Sequence, residues 1–504
     1  MSTDDGSLRP SKSPSSTTVD HEKNATHLSC AEAANNHLPI EIPSNIDFSH
    51  PYHPIHWPLW KKWSLATIYC GLEVFVTIRS TDYLSVLTLV QEKWGGSIQV
   101  VTLGQSMFII GAGCGPIILG PLSDIWGRKW VYVWSTYLYA LVNIGAAIPT
   151  SLPMLIVFMF LSGATGSVAE CNVAGTIADL FGDDAGAGQA MGLFVACASI
   201  GPTIGSPVGA WFAQDPKLGL PWTGWINVII GTAYATGMAL LPETLPSIVI
   251  PRTAMAEDGL ELELPKRNAL EFLTFTLTMA LKILLYEPIV LSLSLFNGFI
   301  YGLGYLFLES VIYVFVDNYR LSYIDADLTF LSLGAGVVIM LVFLAPVQTW
   351  LVQRDRRKNG GKTRPEARFL LSLVTVWGFP ISMFWFAWTS APGLGHTSYW
   401  SPICAGNRVA LLGIVNPLLW LGILNYVTDS YPNLAGSAIA ATIIPSFAVG
   451  AGCAHLGIYM FDRLSAQTAI SILGAVSMGV VVLIYVMYFF GPVLRARSRY
   501  ARKF

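Results

Sequence analysis

Charge is what this sequence has least of. Asp, Glu, Lys and Arg together make up 12% of its 504 residues, about half the share carried by a soluble globular chain. A soluble protein of this length would need far more polar surface to stay dispersed. The small charge complement is also balanced, with 29 basic and 31 acidic residues and a net charge of −2. No basic domain stands out, which excludes a nucleic-acid partner. Cysteine is sparse and scattered. Of seven residues, six (Cys70, Cys114, Cys171, Cys197, Cys404 and Cys453) fall inside apolar runs, and no C-x-x-C spacing occurs. They read as core thiols rather than as metal ligands. There is no phosphate loop and no nucleophile–base arrangement, so neither an enzyme nor a cofactor is expected. The start has no charged n-region followed by an apolar h-region, so no cleavable signal is expected and the first span must serve as the targeting signal.

What fills the chain instead is apolar: 53% of residues are hydrophobic, in long runs punctuated by Gly and Pro. A bilayer core needs about twenty such residues per helix. Windows of that kind fall at 64–90, 98–119, 130–149, 153–178, 188–213 and 223–242, then at 287–316, 326–352, 368–390, 399–427, 434–461 and 467–492. Six spans, a long polar segment and six more spans form a repeat signature. The expected fold is an all-α integral membrane protein. Its parts are a disordered tail (1–60), a six-helix bundle (61–243), a central loop (244–286), a second bundle (287–493) and a basic tail (494–504).

Lys and Arg set the orientation. With the N-terminus inside, cytoplasmic segments hold some twenty basic residues, including Lys61, Lys62, Arg128, Lys129, the run from Arg354 to Arg368 and the C-terminal cluster. The outer loops hold only Lys93, Lys217, Arg320 and Arg463. Both termini are therefore expected in the cytoplasm.

Two stretches carry mechanism. After the second span comes GPLSDIWGRK, Gly120 to Lys129. Gly120 and Gly127 permit tight turns and close helix approach. Asp124 can complement a neighbouring helix N-terminus, while Arg128 and Lys129 stand at the interface. In the fifth span, Gly201, Pro202, Gly205, Pro207 and Gly209 form a ladder that lets another helix come close and bends its own.

The first stretch resembles the G-x-x-x-D-x-x-G-R-[KR] signature of the major facilitator superfamily, and the second resembles that superfamily's antiporter motif. The resemblance implies two six-helix bundles with pseudo-two-fold symmetry. It also implies an inner loop that latches the halves and a glycine face that seals against the opposite half. LLYEPIV, YGLGYLFLES, RPEAR, WFAWTS, NYVTDSYP and LPETLPSIVIPRTA are similar to one branch, the twelve-spanner drug:proton antiporters of fungi. Two positions depart from that branch. Met159 stands where a fourth-span arginine tied to proton coupling is usual, and Pro445-Ser446 where an Arg-Ser pair is usual.

Ionisable residues at membrane depth cost at least about 2.5–3.5 kcal/mol each, so each needs a reason. Glu73, Arg79 and Asp82 lie in the first span, Glu170 in the fourth, Glu309 in the seventh and Arg408 in the tenth. The superfamily resemblance makes these four spans the cavity wall. Arg79 and Asp82, three apart, share a face and can pair, whereas Glu73 and Asp82, nine apart, point to opposite sides. The proton-coupling candidates are Glu170 first, then Asp82, Arg79 (as stand-in for the missing arginine) and Glu309. The substrate-cavity candidates are Asn172, Phe299, Tyr301, Tyr305, Asn407 and Arg408. The expected function is proton-coupled efflux of a small amphipathic drug or secondary metabolite across the plasma membrane or a vacuolar membrane. The expected partners are the lipid bilayer, protons and the solute, and the expected state is a monomer. A transporter of a defined metabolite such as a polyamine, including uptake, is the alternative, and a transporter-like sensor the third. Cavity carboxylates would favour polycations, a preference that Arg79 and Arg408 would counter.

Overall fold

The structure is a computed structural model that describes residues 50–182, 185–215, 217–259, 269–318, 321–361, 363–389, 400–431 and 435–498. The tail 1–49 and the last residues, 499–504, lie outside it. Helix occupies each of the twelve apolar windows. Nine helices among the described residues are long and apolar enough to cross a membrane on composition alone. The helices of the first, third and sixth windows are Leu59–Asp82, Arg128–Ala147 and Gly219–Ala239. Several helices are broken where the sequence forces it. The second span splits into Ile98–Cys114 and Pro116–Trp126, with Pro116 starting the new helix. The fourth splits at Ser167 into Leu152–Gly166 and Val168–Phe181. Among the described residues serine hydroxyls cap three entries: Ser151 accepts from Met154 N, Ser322 from Asp325 N and Ser465 from Thr468 N, each satisfying a donor that the first turn leaves open.

The two bundles repeat one pairing pattern. In the first, span one packs on five, two on four and three on six; in the second, seven packs on eleven, eight on ten and nine on twelve. The close approaches repeat as well. A Cβ at Gly111 or Gly163 would collide with the backbone of the facing helix in the two–four pair, and one at Gly336 or Gly413 would do so in the eight–ten pair. Small residues of this kind let membrane helices meet where no hydrophobic force drives them together. Between bundles, span two meets eleven and span five meets eight.

The segment expected as a central loop differs: it carries helices Pro246–Asp258 and Ala269–Tyr286. The second packs on Pro116–Trp126 and on the eleventh span. Its sequence ALEFLTFTLTMALKILLY is too apolar to remain a solvated loop. The charged run at 261–267 that dominates a reading of the segment's polarity lies outside the described residues.

Candidate functional site

Between the bundles lies a cavity of about 170 Å³. Spans one, four, seven and ten contribute to it as expected, and so do two, five, eight and eleven. Two carboxylic acids enter it from the first bundle, Glu73 and Glu170. Glu170 sits in the first turn after the Ser167 break of the fourth span, so that interruption aims it at the chamber. Glu73 is buried with its Oε2 unpartnered, and both acids line the same chamber. Facing them, the Tyr301 and Tyr305 rings of the seventh span lie 5.1 Å apart, tilted at 57°, with their hydroxyls 3.4 Å apart. Tyr301 also meets Phe447 at 4.8 Å. Gly450 makes room for its ring, since a Cβ there would come within 2.5 Å of it. Asn297, Asn416 and Trp420 complete the polar and aromatic wall. Asn297 Nδ2 donates to Ser446 Oγ at 2.8 Å, which shows what the serine of Pro445-Ser446 does here.

The other candidates are placed differently. Arg79 and Asp82 do pair, at 3.0 Å and almost fully buried, but on the side of the first span turned into its own bundle. Arg79 Nη1 donates to the Thr223 carbonyl at 3.4 Å and Nη2 lies 3.1 Å from Met159 Sδ. At about 100° per residue, Arg79 (six on from Glu73) is turned by about 120° and Asp82 (nine on) by about 180° from the cavity direction, which is why neither lines the chamber. The guanidinium nevertheless reaches the very residue that replaces the usual arginine. Asn172, two positions after Glu170, points the opposite way and accepts from Ser123 Oγ at 3.0 Å. Phe299, two before Tyr301, likewise turns off the cavity towards Gly479. Neither lines it. Glu309 lies two helical turns beyond Tyr301 on the seventh span, packed against Gly457 with Oε1 unpartnered. Asn407 and Arg408 lie outside the residues whose side chains are described.

The Gly120–Lys129 stretch builds a charge cluster. Arg128 bonds Asp124 at 2.9 Å, Asp179 at 3.1 Å and Ser123 Oγ at 2.7 Å. The N-terminus of the helix that begins at Arg128 is served by Glu243, whose Oε1 accepts from Arg128 N at 3.0 Å and also from Thr244 N at 2.9 Å and Leu245 N at 3.0 Å. Gly127 has φ +98°, and a Cβ there would collide with Glu243, so glycine is needed twice over. Gly120 has no neighbour within 4 Å of a would-be Cβ and supports no close approach. These partners of Arg128 all belong to the first bundle, while helix Pro116–Trp126 also touches the eleventh span. A counterpart stands in the second: Arg368 bonds Asp429 at 2.8 Å, Arg495 bonds Glu366 at 2.9 Å, and Arg364 bonds Asp355. That last hydrogen bond holds the Arg364 guanidinium above its ordinary pKa.

The glycine ladder also departs from expectation. A Cβ at Gly201, Gly205 or Gly209 would collide with Thr77, the Ile78 carbonyl or the Asp82 carbonyl, all in the first span. The face seals within its own bundle. Contact with the opposite half comes from the neighbouring positions: Pro202 enters the cavity and Ser206 Oγ donates to Asp327 Oδ1 at 2.5 Å.

Bundle-to-bundle contacts bracket the chamber. At the Arg128 end they are apolar, with Phe194 and Trp420 rings 5.8 Å apart beside Met191 and Leu421. At the far end they are polar. His455 Nδ1 meets Gln99 Oε1 at 2.8 Å, its Nε2 meets Ser106 Oγ at 3.0 Å, and Gln99 Nε2 donates to the His455 carbonyl at 3.2 Å.

Comparison with known proteins agrees with this architecture. The sequence profile of the Major Facilitator Superfamily matches residues 68–452. The vitamin B6 transporter bsu1 of Schizosaccharomyces pombe is 40% identical over 91% of this chain and 86% of its own. The citrinin biosynthesis cluster transporter mrr1 of Monascus ruber is 30% identical over 90% of this chain and 91% of its own. The proton:xylose symporter XylE superposes with a TM-score of 0.63 at 14% identity, over 86% of this chain and 97% of that one.

Proposed function

The chain belongs to the Major Facilitator Superfamily, and on that premise we propose that it exports a small planar organic cation or weak base in exchange for protons. It is a multi-pass membrane transporter. The observation that carries the finer reading is the presence of both Glu73 and Glu170 in the wall of one aromatic chamber. Arg79, which would have argued against a cationic solute, faces away, and no Lys or Arg is among the described residues lining the cavity.

Two like charges in a low-dielectric chamber are costly unless compensated. Protons or a cation compensate them equally well, and both cannot occupy the pair at once. That competition is the coupling: loading the solute displaces protons, and protonation releases it. Aromatic rings add cation–π attraction and planar contact. The charge bias supports a cytoplasmic Arg128 end, and with that orientation an inward proton gradient drives the solute out. Glu170 and Glu73 carry the protons, while Tyr301, Tyr305 and Trp420 select shape.

A second reading is uptake of a small hydroxylated nitrogen ring, favoured by the 40% identity to the vitamin B6 transporter bsu1. Liposomes containing the purified chain, with an imposed pH gradient, test both. Export of a fluorescent planar cation against its own gradient is expected. Glu73→Gln and Glu170→Gln should each slow gradient-driven transport at least ten-fold while dye binding persists. Coupled transport at the parent rate in both variants would overturn the assignment. Proton-coupled pyridoxine entry without dye export would establish the second reading instead.

A further inference from the structure

The eighth span is the least buried of the nine apolar helices. Its exposed side chains run through Val338, Ile339, Val342, Phe343 and Val347 to Trp350. Such a surface faces lipid tails, and a tryptophan at its end belongs at headgroup level. One turn further the chemistry changes abruptly. Arg354, Arg357 and Lys358 are exposed on helix Ala345–Lys358, and at 100° per residue they fall on the same side as Trp350.

These residues form a shallow recess of about 330 Å³ lined by Trp350, Gln353, Arg354, Arg357 and Lys358. The Arg354 guanidinium lies over the Trp350 ring at 5.4 Å. The neighbouring charges are already engaged elsewhere. Asp355 turns inward to Arg364 and to Asn359 Nδ2 at 3.0 Å, and Arg356 Nε donates to the Gly361 carbonyl at 2.9 Å. Among the described residues no carboxylate pairs with Arg354, Arg357 or Lys358. Three cations therefore converge on a recess whose only acid has been withdrawn. Complementing the helix C-terminus would use such cations, but it needs neither the recess nor a tryptophan rim.

We propose that this recess binds the headgroup of an anionic phospholipid. Its acyl chains lie along the exposed apolar stripe of the eighth span, its phosphate sits between Arg354 and Arg357, and Trp350 covers the glycerol region. Arg supplies planar paired donors to phosphate oxygens, and Lys358 adds a point charge for a headgroup carboxylate or second phosphate. The site stands apart from the solute cavity and holds for either direction of transport.

Native mass spectrometry of the full chain in detergent, with dioctanoyl phosphatidylserine or dioctanoyl phosphatidylcholine as probe, tests it. Saturable binding of the serine lipid over the choline lipid is expected. Each cation near an anionic lipid contributes about five-fold in affinity, so Arg354→Gln/Arg357→Gln/Lys358→Gln should weaken binding on the order of 100-fold. The far-end variant Lys93→Gln/Lys217→Gln/Arg463→Gln should bind as the parent does. Equal losses in both triple variants would show diffuse attraction and overturn the site. Competition by inorganic phosphate at low millimolar concentration would mark a free-phosphate site and overturn it too. Trp350→Ala offers a check independent of charge, with a several-fold loss expected for the serine lipid; undiminished binding would remove the rim from the proposal.

Discussion

Arg79 and Met159 show how far one residue can be read from sequence. The pairing of Arg79 with Asp82 follows from their spacing, and the structure bears it out at 3.0 Å. That the guanidinium would also reach Met159 depends on how spans one and four cross, which no spacing along one helix contains. The same limit applies to Glu73, whose place beside Glu170 in the cavity wall is not legible along one helix. Each acid was visible as an isolated charge, but their meeting in one chamber is a tertiary fact. The buried pair yields a discriminating experiment. Removing one partner strands a charge at a cost of about 3–5 kcal/mol, whereas replacing both with apolar residues is often neutral. Asp82→Asn is therefore expected to lower the thermal unfolding midpoint sharply, and Arg79→Met/Asp82→Leu to recover most of it. If Glu73 and Glu170 carry the coupling, the recovered double variant still transports in response to a pH gradient. Failure of a stable double variant to do so would move the coupling site to Arg79 and Asp82.

Elements were easier to foresee than their contacts. Twelve apolar windows became helices because hydropathy reports burial in lipid directly. The linker helix Ala269–Tyr286 was obscured because the charged run before it dominates the segment's average polarity. The Gly120–Lys129 stretch is legible as a motif, but the cap of the helix it leads into comes from Glu243, more than a hundred residues away. Only the packing of the third span against the end of the sixth brings that carboxylate to Arg128 N. Asp124 is 40% exposed, and an exposed pair contributes no more than about 1 kcal/mol. Glu243 holds several backbone donors, and losing a cap of this kind costs about 0.5–2 kcal/mol. Glu243→Ala should thus destabilise the chain more than Asp124→Asn does, in thermal unfolding of the purified protein. The reverse order would return the capping role to Asp124.

At the scale of the whole molecule, the repeat of helix pairings in the two bundles makes rocking about the central chamber the natural motion. Such a motion must break one set of inter-bundle contacts while the other forms. The two sets differ in kind: apolar rings at the Arg128 end, and hydrogen bonds from Gln99 and Ser106 to His455 at the far end. A hydrogen bond contributes about 0.5–1.5 kcal/mol net, so the three together hold the far end shut by roughly 2–4 kcal/mol. Removing the imidazole should shift the population towards the far-open state by about ten-fold or more. His455→Leu fills similar space without either ring donor or acceptor, leaving only the backbone contact from Gln99. The reporter is Ser80→Cys, which lines the cavity, in a background whose native cysteines have been replaced. A membrane-impermeant maleimide added from the side bearing Lys93 and Arg463 is expected to label this cysteine at least several-fold faster when His455→Leu is also present. Labelling at the parent rate would show that the polar clasp does not hold the gate, and that the Ser206–Asp327 contact or apolar packing closes that end instead.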